Sequence, residues 1–243
     1  MRQFLVFDIE TSAVDFESLS ESQQEYLLRN AETDEAKEQR KKEMALSPLT
    51  SHVVCIGLQL MQEAEGGQWE LLRRAAFSAD LNLPDSERIE VKIGLDDICY
   101  ISSEKRLLED FWNILRKYPK AELISFNGRN FDAPFLMLRS ALYKIHPSRN
   151  LMSGTKFNYP QHYDLIDELT FYNPSSYGAA RRYNFDFYTR AFGITSPKSE
   201  GVDGSKVGIM FKEGKFAEIA EYCMRDITAT WELFLIWYNY LKF

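Results

Sequence analysis

What the 243-residue chain lacks narrows its class first. It has only 3 cysteines, and an odd number with no CxxC spacing supplies neither a disulfide framework nor a zinc site. Cys55, Cys99 and Cys223 sit in apolar surroundings and read as packing residues. No apolar run approaches the roughly 20 residues needed to span a bilayer, and the start MRQFLVFDIE carries acids where a signal peptide keeps its apolar stretch. A cytoplasmic location with no membrane partner is therefore expected. Positive charge is not in excess either: 29 Lys and Arg face 36 Asp and Glu, for a formal net charge of −7. That argues against a protein that coats DNA by charge. It leaves room for an enzyme on nucleic acid, because a carboxylate cluster adds negative charge that bound metals offset.

What is present is a core. With 45% hydrophobic and 14% aromatic residues, the chain can bury one large domain or two small ones. FLVFDIE and HVVCIGLQLM (52–61) read as strands, QWELLRRAAFSA as the return of a hairpin after EAEGG, and ICYIS (98–102) as a short strand. SEKRLLEDFWNILRKY has a cap at Ser103, apolar residues at 107, 108, 111, 112 and 115, and Pro119 beyond its end, which predicts a helix. AELISFNG reads as a strand, FDAPFLMLRSALYKI as a helix entered through Pro134, and KFAEIAEYCMRDITATWELFLIWYNYLKF as a long terminal helix. The interleaving predicts an α/β architecture, a central mixed sheet flanked by helices. Residues 15–46 are dense in Glu, Gln, Lys and Arg, the composition of a solvated helical insert after the first strand. With no repeat or linker, residues 1–243 read as a single domain.

The acids carry the chemistry. Alternation along a strand puts Asp8 and Glu10 on one face and Phe7 and Ile9 on the other, so two like charges are held close. Asn127, Phe131 and Asp132 fall at a strand-to-helix junction, and Tyr222 and Asp226 lie four apart on one helix face. Singly, each has a plainer reading: a strand end reaching solvent, an acid favoured by a helix N-terminus, a core aromatic beside a surface charge. Together, Asp8, Glu10, Asp132 and Asp226 form an oxygen-only set suited to Mg²⁺ or Mn²⁺. Two such ions about 3.5–4 Å apart support phosphodiester cleavage.

In order and spacing, DIE (8–10), NGRNFDAP (127–134) and YCMRD (222–226) resemble the ExoI, ExoII and ExoIII motifs of the DnaQ-like 3′–5′ exonucleases, which have the RNase H-like fold. Tyrosine before the last aspartate marks the DEDDy branch. Within it, SPLTSHVVCIG and VDGSKV (202–207) are most similar to stand-alone predicted exonucleases related to the proofreading domain of family B DNA polymerases. The resemblance implies two divalent cations, with Asp8 bridging both, Glu10 and Asp226 completing the shell of the ion that binds the attacking water, and Asp132 on the second. It implies that Tyr222 orients the water, since a phenol with an ordinary pKa of about 10 is a poor base at neutral pH, and that Asn127 and Phe131 contact the terminal nucleotide. Single-stranded nucleic acid is the implied partner, DNA ahead of RNA. A proofreading role would need a replication or repair partner that the sequence does not name.

Other segments say less about substrate. RRYNFDFYTR (181–190) interleaves arginines with aromatics, a composition for phosphates and bases, yet it also scans as a helix with Phe185, Tyr188 and Phe192 toward the core, the reading preferred here. His162 and Asp164 match a family position after ExoII and are not assigned to metal. Lys198 and Lys206 flank an expected turn at Asp203-Gly204 and read as loop charges. A non-catalytic binding module of the same fold and a phosphoesterase on small nucleotides are the alternatives to an exonuclease.

Overall fold

The structure is a computed structural model that describes residues 1–196 and 204–242. In chain order the elements are β1 (Gln3–Ala13), α1 (Glu21–Leu28), α2 (Asp34–Glu43), β2 (Ser51–Glu63), β3 (Trp69–Ala79), β4 (Arg88–Ile93), β5 (Asp97–Ser102), α3 (Glu104–Lys117), β6 (Glu122–Ser125), α4 (Asp132–Leu142), β7 (His162–Asp164), α5 (Leu165–Leu169), α6 (Phe185–Ala191), α7 (Gly204–Lys212) and α8 (Phe216–Tyr240). The seven strands form one mixed sheet in the order β4-β5-β3-β2-β1-β6-β7. β1 and β2 are antiparallel, as are β2 and β3, whereas β1 with β6 and β6 with β7 are parallel.

Strand parity sorts the core into two layers. Phe4 and Val6 of β1 pack with Ile227 and Phe234 of α8 on one face. Leu5, Phe7 and Ile9 pack with Leu108, Phe111 and Leu136 of α3 and α4 on the other. Each such fully buried side chain is worth roughly 1.5–3 kcal/mol of transfer free energy. The cap predicted for α3 forms, with Ser103 Oγ accepting from Arg106 N at 3.2 Å, and its five apolar positions are all buried.

Glu104, at the first position of α3, ties three elements together. Its carboxylate accepts from Val53 N at 2.9 Å, from Arg139 at 2.6 and 2.8 Å and from the Tyr143 hydroxyl at 2.9 Å, and His52 Nδ1 lies 2.7 Å away. Burial alone would raise this carboxyl, but the hydrogen bonds from His52 and Arg139 outweigh it and hold it below its ordinary range. The start of β2 is thereby fixed to α3 and α4.

Three sequence readings change. RIEVKI, unassigned from sequence, alternates apolar and charged residues and forms the edge strand β4. HYD, too short to show a period, forms β7. Gly204, the second residue of the expected Asp203-Gly204 turn, is the first residue of α7, whose Val207 and Met210 are buried at helical spacing. Lys206 is an exposed residue of that helix, while Lys198 and Asp203 lie outside the described residues. The insert is helical as expected: Thr33 caps α2 by accepting from Ala36 N at 3.2 Å, and neither α1 nor α2 buries a residue. Among the described residues, no helix is long and apolar enough to cross a membrane.

Candidate active site

Three separated segments converge over the second half of β1. Asp8 and Glu10 continue the Phe4 and Val6 face, so they point toward α8, which carries Tyr222 and Asp226. The approach of α8 depends on Gly57, the β2 residue opposite Asp8. A Cβ there would lie 2.8 Å from Cys223 Sγ and 2.8 Å from Ile227 Cγ1, closer than packed atoms sit. The third segment arrives because β6 runs parallel to β1 and pairs with it only from Phe4 to Val6. Beyond that pairing, Ile9 N donates to Asp132 Oδ1 at 3.0 Å, which fixes the first residue of α4 against β1.

The loop delivering Asp132 is shaped by a buried carboxylate. Asp164, fully buried at the end of β7, accepts from Asn127 N at 2.7 Å, Arg129 N at 2.9 Å and Ile166 N at 3.3 Å. These bonds curl the backbone so that Asn127 takes a φ of 64°, a left-handed conformation that asparagine tolerates. Gly128 then lies so close to Ser125 that a side chain at 128 has no room. His162 stays neutral beneath this loop, held down to about 3 chiefly by burial, with Nε2 2.7 Å from Ser125 Oγ. Neither His162 nor Asp164 lines the cleft that holds the acids. Asp164 is the positioning group that sequence reasoning noticed without giving it a role.

All seven site residues read from the sequence, Asp8, Glu10, Asn127, Phe131, Asp132, Tyr222 and Asp226, line one cleft of about 220 Å³. Ile9, Phe126, Phe185, Asp186, Ser196 and Thr230 complete it among the described residues, and no insert residue lines it. Burial pushes the carboxyls of Asp8 and Glu10 well above their ordinary range, and neighbouring acids push further, Asp132, Asp226 and Glu10 on Asp8 and Asp226 on Glu10. Asp132 is pushed up to about 7, by burial foremost, although hydrogen bonds from its own N–H and that of Ile9 oppose the shift. Tyr222 is raised by burial and then by Asp226, Glu10 and Asp8, so its phenol stays neutral across the physiological range. Among the described residues, Asp8, Glu10 and Cys223 place ligand atoms within 4.8 Å of one another. The Cys223 thiol keeps its proton through its hydrogen bond with Cys55 and its burial, and its soft sulfur is a poor donor for the hard cations that carboxylate oxygens suit. With all three cysteines buried and none in a disulfide, they are packing residues as expected.

Fold and motif order together define a class, the RNase H-like proteins with an exonuclease-type acidic cleft. Residues 72–241 match the family described as predicted 3′-5′ exonuclease related to the exonuclease domain of PolB, and the chain belongs to this family. It is 26% identical over 168 residues to DNA polymerase 1 of Sulfolobus acidocaldarius, covering 67% of this chain and 17% of that one. It is 28% identical over 169 residues to an uncharacterized protein of Methanocaldococcus jannaschii, covering 61% of this chain and 82% of that one. A solved structure of the family B DNA polymerase from Pyrobaculum calidifontis superposes with a TM-score of 0.56 at 16% identity, over 98% of this chain and 25% of that one. The chain thus spans about a sixth to a quarter of the two polymerases.

Proposed function

We propose that the whole chain, residues 1–243, is one 3′–5′ exonuclease domain that hydrolyses the terminal phosphodiester of single-stranded DNA with two divalent cations, Mg²⁺ or Mn²⁺. The observation that carries this reading is the convergence of Asp8, Glu10, Asp132 and Asp226 in one cleft with Tyr222. The donor set fits hard cations: it is all carboxylate oxygen, and the acids are raised by burial and by one another, which bound positive charge would reverse. Asp8, Glu10, Asp132 and Asp226 would hold the ions, which when bound supply activation of water and stabilisation of the leaving 3′ oxygen. Family membership supports the same reading.

The chain's own groups do the remaining work. Tyr222, neutral and fixed one helical turn from Asp226, offers a hydroxyl to orient the attacking water rather than a base to deprotonate it. Asn127 and Phe131 line the opposite wall, where a terminal nucleotide would sit. In the reaction a water oxygen bonds to phosphorus while the bond from phosphorus to O3′ breaks, leaving a 5′-phosphorylated nucleotide and a strand shortened by one.

The test uses DNA and RNA oligonucleotides, labelled at either end, with Mn²⁺. A 5′ label should yield a ladder shortened from the 3′ end and a 3′ label should yield mononucleotide at once, while Asp8→Asn abolishes both and remains folded. Wild-type rates from Asp8→Asn would sink the site assignment, and a ladder from the 5′ end would sink the polarity. Degradation of RNA in preference to DNA would replace the substrate and keep the chemistry.

A further inference from the structure

The segment Arg181–Phe187 does not behave as a simple core helix. Phe185 and Tyr188 do pack inward, with ring centroids 4.7 and 5.6 Å from Phe126. Phe192, expected in the core, is 41% exposed just beyond the end of α6. More telling is a pair that sequence periodicity did not single out: Tyr183 is 39% exposed, Phe187 is 58% exposed, and their rings face each other at 4.9 Å and 34°. Arg181 places its guanidinium 4.9 Å from the Tyr183 ring centroid. An exposed aromatic pair costs solvation and does nothing for the core that Phe185 and Tyr188 do not already do.

We propose that Tyr183 and Phe187, with Arg181, form a platform on which single-stranded nucleic acid stacks a base as it leads into the cleft. The proposal rests on the exonuclease reading above. Both chain neighbours of the pair reach the cleft. Arg182 donates to Asn127 Oδ1 at 3.1 Å, and Asp186 lines the cleft wall. The platform is held rigidly: Asn184 caps α6 by accepting from Phe187 N at 3.3 Å, and Phe185 anchors the helix to Phe126. Nearby cations are already engaged, Arg182 with Asp167 at 3.6 Å and Arg190 with Asp186 at 2.9 Å. Arg181 is exposed and has no ion-pair partner among the described residues, which leaves it for a phosphate. Exposed rings beside a cation, continuous with an acidic hydrolytic cleft, match the stacking-plus-phosphate mode of single-strand binding.

The experiment measures fluorescence anisotropy of labelled ten-nucleotide dT and U strands and of a dT trinucleotide, in EDTA so that nothing is cut. Wild type should bind the longer strand more tightly than the trinucleotide. Tyr183→Ser combined with Phe187→Ser should weaken binding of the longer strand on the order of 10-fold or more and flatten the length dependence. Phe187→Trp keeps a stacking face and should retain the affinity, which separates stacking from misfolding. Arg181→Gln should reduce the slope of log K against log salt by about 0.7, one phosphate's share on a single strand. The dT and U arms show which strand the platform prefers, and loss on either supports it. Unchanged affinity of the double variant for both strands would overturn the platform, whatever the wild type hydrolyses. Ring-dependent binding without any wild-type hydrolysis in Mn²⁺ would keep the platform and overturn the exonuclease reading.

Discussion

Removing one charge from the acidic cleft should stabilise the metal-free protein. Asp132 is 3% exposed, and burial, aided by the Asp164 and Asp226 charges, pushes its carboxyl from 3.8 up to about 7. Between those values the folded protein holds a proton that the unfolded chain has released. The stability linked to this group is therefore fully present below about pH 4 and is lost as pH rises through about 7. At about 1.36 kcal/mol per pKa unit, the ceiling at pH 8 is about 4 kcal/mol, and relaxation of the coupled cluster lowers the realised value. For a domain of this length each kcal/mol moves Tm by about 2–4 °C. In Asp132→Asn the side-chain carbonyl can still accept from Ile9 N, so the helix start keeps its anchor. In EDTA at pH 8, differential scanning fluorimetry should show this variant melting several degrees above wild type, with the gap closing by pH 4. Mn²⁺ should reverse the order, because the intact cluster gains by mass action, about 2.7 kcal/mol at a hundredfold excess over Kd. If the variant melts at or below wild type at pH 8 in EDTA, the acids are not repelling one another and the electrostatic argument for a cation site fails.

Three further perturbations separate chemistry from support. Tyr222→Phe keeps the ring but loses the hydroxyl, so kcat should fall on the order of 10²-fold with little change in the Mn²⁺ concentration needed for half-maximal rate; full activity would make Tyr222 a packing residue. Asp164→Asn offers one carbonyl oxygen where the carboxylate serves three N–H groups, so the 126–131 loop should loosen, with kcat/KM on a labelled oligonucleotide falling about 10-fold and Tm dropping; unchanged kinetics would remove its positioning role. Gly57→Ala drives a methyl against Cys223 and Ile227, and overpacking of this kind costs about 1–3 kcal/mol, read as a lower midpoint in urea; an unshifted midpoint would show that α8 moves freely over β2.

The site was more legible in the sequence than its supports. Asp8 and Glu10 announced their shared face through period-two alternation, and Tyr222 and Asp226 through their four-residue spacing, because both patterns are local. The role of Asp164 is not local: it joins a three-residue strand to a loop more than thirty residues earlier, and β7 is too short to carry any period. Gly57 was equally silent, since its meaning lies in what α8 brings opposite it. Phe187 escaped for a different reason. In a helix of only seven residues the apolar positions at 185, 187, 188 and 192 fit more than one face, and only Phe126 decides that 185 and 188 turn inward.

Two buried acids outside the cleft contrast with the acids inside it, and the contrast supports the proposed cation site better than acidity itself. Glu104 is enclosed by Arg139, His52, Tyr143 and a backbone N–H, and its carboxyl lies below the ordinary range. Asp110 is paired with Arg88 at 2.9 Å. Asp8 and Glu10 are treated oppositely: among the described residues the charges bearing on Asp8 are all of its own sign, and those on Glu10 likewise. A fold that supplies arginine to one buried carboxylate can supply it to another. Leaving these acids to repel lowers stability wherever they ionise, and destabilised clusters of this sort persist at sites that bind or react. The cation proposed for the cleft would supply the counter-charge that Asp8 and Glu10 lack among the described residues, and through that charge it would hold the phosphate of a strand lying along Asn127, Phe131 and the anchored end of α6.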